Sequence, residues 1–278
     1  MAKPLGIDAW WDESWNPVGG CLAISPGCLN CYAAQTAGTK TWPFPGSSNI
    51  HEGVTVEVDK RRIFNGKITT APERHPVWMW PLKWKGAKHP KLGPGKPSLI
   101  FVGDMSDLFI ADIEGRPDAV IDRVCAHLAQ SDHIGLLLTK RTRRMASYFT
   151  ALKPRTVEMW QPKLWLGFSA EDQEWFDKRW PHMRTLAEAG WRVFVSIAPM
   201  IGPVTLPPDF VAFGPRVWVI VAGEQGPRKR CRFMDANWAR AVREQCTAAA
   251  IPFFVKQMSA GAPIPDDLLK FRQFPEVP

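Results

Sequence analysis

The chain has 278 residues, 45% of them hydrophobic and 22% charged, which provides a substantial core and suits one large domain or two small ones. It contains no run of eighteen apolar residues, and Met1-Ala-Lys-Pro opens no secretory leader, so a membrane-spanning helix is excluded and a cytoplasmic protein is expected. A net charge of +8 makes a polyanion, nucleic acid above all, the natural partner; a solvated basic face with no partner is the alternative.

Residues 1–50 read as irregular, with Gly and Pro punctuation and one strand leading into a loop that carries Cys21, Cys28 and Cys31. The spacing is C-x6-C-x2-C, with no fourth cysteine near it. In a reducing compartment, clustered cysteines point to metal or catalysis rather than disulfides. A closed structural zinc site takes four protein ligands. Three thiolates on a [4Fe–4S] cluster leave one iron open to a small molecule. Spacing alone leaves both readings open: a cluster, or a zinc knuckle completed by a distant His, Asp or Cys. Gly27, just before Cys28, is expected to let the loop turn tightly. Cys125 and Cys246 fall in helix-like stretches and read as small buried hydrophobes.

Residues 51–97 hold one short predicted strand, 54–58, then a stretch rich in Pro, Lys and Trp, together read as an insertion or lid. Lys83-Trp84-Lys85 through Lys91 is the first of three basic patches; the others are Lys140-Arg141-Thr-Arg143-Arg144 and Arg228-Lys229-Arg230-Cys-Arg232. Trp78, Trp80 and Trp84 lie in the first and are candidates for stacking on bases. From residue 98 a regular rhythm begins. Apolar strands are predicted at 99–102, 134–138, 164–168, 192–195, 217–221 and 252–255, with helices at about 117–130, 143–152, 175–188 and 235–249. Continuous apolar strands alternating with helices define an α/β fold with a mostly parallel sheet. We expect a partial or complete α/β barrel forming one domain over residues 1–278. Polar clusters follow the strands: Gly103-Asp104-Met-Ser106-Asp107, Thr139-Lys140-Arg141, Ser169-Ala-Glu171-Asp172-Gln173, Ala222-Gly223-Glu224 and Lys256-Gln257. In α/β barrels that rim carries the active site. Helix capping accounts for one polar residue per loop, not for whole clusters.

These motifs carry a resemblance. Trp15-Asn-Pro-Val-Gly-Gly-Cys21, Ser25-Pro-Gly-Cys28, Cys31-Tyr32, Asp107-Leu-Phe109, Leu138-Thr-Lys-Arg141, Leu166-Gly-Phe-Ser-Ala-Glu-Asp-Gln173, Gly223-Glu224-Gln-Gly226 and Pro252-Phe-Phe-Val-Lys-Gln257 span nearly the whole chain. Together they resemble a phage- and prophage-encoded family of three-cysteine proteins related to radical S-adenosylmethionine (SAM) enzymes. The chain departs from that pattern in three places. The first cysteine gap is six rather than the common three, Ala198 stands where the family often has Glu, and Ala222 where it often has Gly.

The resemblance implies a [4Fe–4S] cluster on Cys21, Cys28 and Cys31, with SAM on its open iron and an external one-electron reductant. It makes Asp104 or Asp107 the partner of the SAM ammonium at the tip formed with Gly103 and Ser106. Lys140 or Arg141 would pair with the SAM carboxylate or a substrate phosphate, and Ser169, Glu171 and Asp172 with the ribose hydroxyls. Tyr32 would shield the cluster or pack on adenine. Glu224, Lys256 and Gln257 fall on the substrate side as catalytic candidates. Lys83, Trp84, Lys85, Arg141, Arg143, Arg228, Lys229 and Arg230 are nucleic-acid candidates on charge and aromatic content. The function expected is a monomeric radical SAM enzyme acting on a modified thymine in phage DNA, inside the host cytoplasm, such as rearrangement of an amino-acid-substituted thymidine. A repair lyase acting on a thymine lesion, and a non-catalytic zinc-stabilised nucleic-acid-binding protein, are the alternatives.

Overall fold

The computed structural model describes residues 9–37, 50–110, 117–226 and 228–277. The irregular stretch expected over residues 1–50 therefore lies partly outside the described residues. In the described part, the strand expected before the cysteine loop is Glu13–Trp15, and the helix Tyr32–Ala37 has no counterpart among the expected elements.

Seven strands form one parallel sheet in chain order: Glu13–Trp15, Leu99–Val102, Ile134–Thr139, Leu164–Ala170, Arg192–Ile197, Val217–Ala222 and Phe253–Gln257. One row of residues crosses six of them, Trp15 beside Val102, then Leu137, Leu166, Val193 and Val217. The sheet curls into a half-barrel with helices packed on its outer face. The long crossovers are Pro117–Ala129, Thr142–Thr150 followed by Pro154–Trp160, Gln173–Glu188 and Ala236–Ala248. Pro154–Trp160 has no counterpart among the predicted helices; its Pro at the first helical position is the signal that marks its start. No helix among the described residues is long and apolar enough to cross a membrane.

The central stretches of the strands are continuously apolar because both faces are buried there. Ile100, Val102, Leu137, Leu166, Val193, Val195, Val219 and Val221 pack outward under the helices. Their alternating neighbours Leu99, Phe101, Leu136, Trp165, Phe194, Trp218, Ile220 and Phe254 point into the lumen. There they meet Trp10 and Trp11, which precede the first strand and plug the half-barrel from inside. The Trp10 ring lies 4.9 Å from Phe101, 5.4 Å from Phe194 and 5.7 Å from Trp218. This aromatic floor closes the lumen below and leaves a cavity above it, at the C-terminal ends of the strands.

The 51–97 segment is not one unit. Thr55–Val58 and Arg61–Phe64 form an antiparallel hairpin whose turn residues Asp59 and Lys60 take left-handed backbone angles (φ 49° and 60°). Val54 and Phe64 pack on Ala33, Ala34 and Ala37, so the hairpin braces the helix that follows the cysteines. The Pro/Lys/Trp stretch runs along the opposite end of the sheet. There His133, which immediately precedes the third strand, bonds through Nε2 to the Trp84 carbonyl at 3.0 Å, and Ser98 Oγ accepts from Ala87 N–H at 2.9 Å.

Gly167 makes the lumen packing possible, because a Cβ there would overlap the Phe194 ring. Phe194 is hemmed in by Trp10 and Trp218 and cannot yield. Gly167→Ala is expected to cost on the order of 1–3 kcal/mol through overpacking. A denaturant midpoint equal to that of the parent would show that the floor is plastic.

Candidate functional site

The first strand delivers the chain to the rim, and Asn16 fixes its exit. Its Nδ2 donates to Asp104 Oδ1 at 2.5 Å, and its Oδ1 accepts the Met105 N–H at 3.3 Å. Gly20 bridges to Ser106, so the loop after the first strand is laced to the tip of the second. Cys21 follows, and a tight turn over Pro26–Cys28 leads through Cys31 into the helix beginning at Tyr32. Cys21, Cys28 and Cys31 all line a cavity of about 200 Å³ above the aromatic floor. Gly27 is needed for a reason other than the expected tight turn. Its backbone presses against Glu171, and a Cβ would come within 2.5 Å of that side chain.

Glu171 is fully buried at the tip of the fourth strand. Its carboxylate forms ion pairs with Lys140 and with Arg179 Nη1 (2.9 Å), and accepts from Ser25 Oγ at 2.6 Å. Lys140 Nζ also reaches Cys28 Sγ at 3.6 Å. Burial raises the Cys28 pKa, but the Lys140 ammonium and hydrogen bonds from the loop outweigh it and bring the thiol below its ordinary value. A second pair stands beside Cys21. Arg141 Nη1 bonds Asp107 Oδ2 at 2.7 Å and approaches Cys21 Sγ at 3.9 Å, while Nη2 holds the Leu22 carbonyl at 2.9 Å. Asp107 is fixed in turn by Thr139 Oγ1 (2.8 Å) and the Phe109 N–H (3.0 Å). Cys21 is pushed up to about 12 by burial and the Asp107 charge, with Arg141 opposing. Burial raises Cys31 as well.

Across the cavity, Glu224 is a rivet. It accepts from Arg232 through the backbone N–H at 2.8 Å and through the guanidinium, and from Asn30 Nδ2 at 3.0 Å. Arg232 Nη1 also holds the Pro26 carbonyl at 2.9 Å, so the 228–232 loop clasps the cysteine loop. Burial would raise the Glu224 pKa, but the Arg232 bonds bring it below the ordinary value. Gln257 Nε2 donates to the Gly223 carbonyl at 3.1 Å. Lys256 Nζ lies 5.0 Å over the Trp11 ring and 5.8 Å over Tyr32. Burial pushes the Lys256 pKa down to about 8, with the Asp104 charge opposing.

The fold thus gathers Cys21, Cys28, Cys31, Tyr32, Gly103, Asp104, Ser106, Asp107, Lys140, Arg141, Ser169, Glu224, Lys256 and Gln257 around one cavity. Others are placed elsewhere. Glu171 stands behind the loop with its oxygens engaged by protein donors, which leaves none for a ribose. Asp172 caps the helix Gln173–Glu188 by accepting the Trp175 N–H at 3.1 Å and lies outside the cavity. Arg141 lines the cavity, but its guanidinium is engaged by Asp107 and the Leu22 carbonyl. Lys83, Trp84 and Lys85 lie at the far end of the sheet. Trp84 stacks on Trp80 at 5.0 Å with both rings partly buried, and Trp78 is buried beneath Arg123. Arg143 is exposed on the helix after the third strand. Arg228, Lys229 and Arg230 are exposed beside the mouth, with Arg230 bonded to the Lys60 carbonyl of the hairpin at 2.8 Å. Sequence reasoning missed Trp11, Asn16, Asn30 and Arg179. Asn16, just before the first cysteine, and Asn30, between the second and third, carry a local signal; Trp11 and Arg179 do not.

A parallel half-barrel with a three-cysteine loop at its C-terminal rim is the class of protein that these features define. A family described as "Protein of unknown function (DUF5131)" matches residues 7–269, and the chain belongs to it. No curated protein and no solved structure matches the chain.

The depressed Lys256 pKa is a stability statement. At pH 7 the ammonium is charged in both the folded and the unfolded chain, and the folded chain carries the full burial cost. Between pH 8 and 10.5 the unfolded chain binds more protons, so that cost disappears as pH rises. Lys256→Met is expected to be more stable than the parent at pH 7, by on the order of 2 kcal/mol. The difference should close by about pH 10.5, read from denaturant midpoints across that range. A gap that is constant with pH would place the cost elsewhere.

Proposed function

We propose that the chain is a radical SAM enzyme holding a [4Fe–4S] cluster on Cys21, Cys28 and Cys31 and acting on a modified thymine base in phage DNA. The carrying observation is the convergence of these three thiols on one rim cavity, with Lys140 against Cys28 and Arg141 against Cys21. Thiolate ligands must be deprotonated, and the two cations compensate the charge that three thiolates bring. Among the described residues no three His, Cys, Asp or Glu side chains gather closely enough to hold a metal ion as they stand. Cys125 and Cys246 are buried elsewhere, and Cys231 does not line the cavity, so three thiols leave one iron free for SAM.

Such a cluster with SAM supplies radical chemistry that breaks unactivated C–H bonds. The chain's own residues do the rest. Asp104 offers a carboxylate to an ammonium at the second strand's tip, and the aromatic floor excludes water from below. Glu171 and Asp107 hold Lys140 and Arg141 against the thiols. The mouth opens beside Arg228, Lys229 and Arg230, a surface suited to DNA phosphates, and a base has to leave the duplex to enter a cavity of this depth. Rearrangement of an amino-acid substituent on the base is the reaction type we assign; an external one-electron reductant is required.

Anaerobically purified protein is expected to be coloured, with about four irons per chain. Cys21→Ala, Cys28→Ala and Cys31→Ala should each lose iron and SAM cleavage, while Cys125→Ala and Cys246→Ala keep both. A colourless protein with stoichiometric zinc overturns the reading.

The charge assignment is tested separately. Neutralising Arg228, Lys229 and Arg230 should weaken DNA binding and flatten the log-affinity against log-salt slope by roughly 0.7–0.9 per lost contact. Neutralising Lys83 and Lys85, at the far end of the sheet, should leave turnover on DNA unchanged. Equal effects from both sets would separate DNA binding from the mouth of the cavity.

A further inference from the structure

Among the described residues, two donors carried by side chains that line the cavity have no hydrogen-bond partner. Among the described residues Lys256 Nζ makes no hydrogen bond and no ion pair; it stands over the faces of Trp11 and Tyr32, with the more distant charge of Asp104 acting on it. The Trp11 indole N–H is buried without a partner, and Trp11 lines the same cavity. The other cations of the rim differ in this respect: Lys140 is bonded to Glu171, Arg141 to Asp107 and Arg232 to Glu224. A partly buried ammonium and a buried indole N–H each cost free energy unless a ligand completes them.

We propose that Lys256 and Trp11 together form a receptor for a carboxylate on the molecule that fills the cavity. The ammonium supplies charge and several donors, and the indole supplies one directed N–H, a set that suits the two oxygens of a carboxylate. Asp104 is close enough to Lys256 to attract it yet forms no contact ion pair with it. Its negative charge disfavours a dianionic phosphate in the same corner and suits an ammonium. The corner is therefore complementary to an α-amino-acid head group, with Asp104 facing the amine and Lys256 and Trp11 the carboxylate. The inference rests on the proposed function, because two ligands of that reading carry such a group: the methionine end of SAM and an amino-acid substituent on the base.

Calorimetry separates them. One arm compares a thymidine bearing glycine, joined through its nitrogen to the 5-methyl carbon, with the corresponding glycinamide. The other compares SAM with decarboxylated SAM. Each is measured on cluster-loaded parent, Lys256→Gln and Trp11→Phe, with thermal melts confirming that the variants fold. We expect the parent to favour the carboxylate form at least ten-fold in one arm. Lys256→Gln should abolish that preference, and Trp11→Phe, which keeps an aromatic ring and removes the N–H, should reduce it several-fold. The arm that responds identifies the molecule bearing the carboxylate. No carboxylate preference in either arm, or a preference that survives Lys256→Gln, overturns the receptor. Iron content and SAM cleavage of the same preparations report on the radical reading independently, so the two can fail separately.

Discussion

The buried carboxylate of Glu171 is the constraint on which the site depends. A lone carboxylate with no solvent exposure would be driven to its neutral form. Here Lys140, Arg179 and Ser25 hold it charged, below the ordinary carboxylate range against the pull of burial. Each partner does something else as well. Ser25 opens the turn that presents Cys28, Lys140 reaches the Cys28 sulfur, and Arg179 ties the helix Gln173–Glu188 to the Ser169 carbonyl. Gly27 lets the loop backbone settle against the carboxylate. Removing Glu171 would leave two cations in low dielectric and release the loop from the sheet, so the position of one thiol and its ionisation share a single cause.

The second determinant lies below. A half-barrel with a filled lumen offers no site, and one with an empty lumen loses its core. Trp10, Trp11, Trp165, Phe194 and Trp218 fill the lower part, while small residues at the rim, Gly103, Ser169, Ser196, Ala198 and Ala222, leave the upper part open. Ala198 belongs to that set and presents only a methyl group to the cavity. Glu224 lines the cavity as well, and its oxygens are engaged by Arg232 and Asn30.

What could be read from the sequence followed from how local each signal is. The strands were legible because burial on both faces leaves continuous apolar runs, and the helices because their apolar faces recur at helical spacing. The cysteines were legible by spacing alone. Glu171 and Asp172 were not separable, since adjacent acids after a strand look alike. The structure gives one a buried ion-pair network and the other a helix cap. The Lys83–Lys91 run counted correctly as charge, but composition does not say which end of a sheet a segment lies along. Trp84 shows the same limit, its ring stacked on Trp80 and beside His133 rather than open to a ligand. The Asn30–Glu224–Arg232 clasp joins positions about two hundred residues apart, and nothing local announces it.

The cavity is electrostatically asymmetric, and the asymmetry divides its labour. At the cysteine end, the cations are already matched by Glu171 and Asp107, so they answer to sulfur and to the loop and have little left with which to discriminate ligands. Between Tyr32 and the tip of the second strand, Lys256, Trp11 Nε1 and Ser106 Oγ are without hydrogen-bond partners among the described residues. A site reads its ligand through polar groups that the protein itself leaves unsatisfied, because only those lose something when the wrong ligand binds. In the proposed reading, discrimination falls to Lys256 and the tryptophan pair before the first strand and the reactive group to the cysteine loop, two sets of residues that line the same cavity.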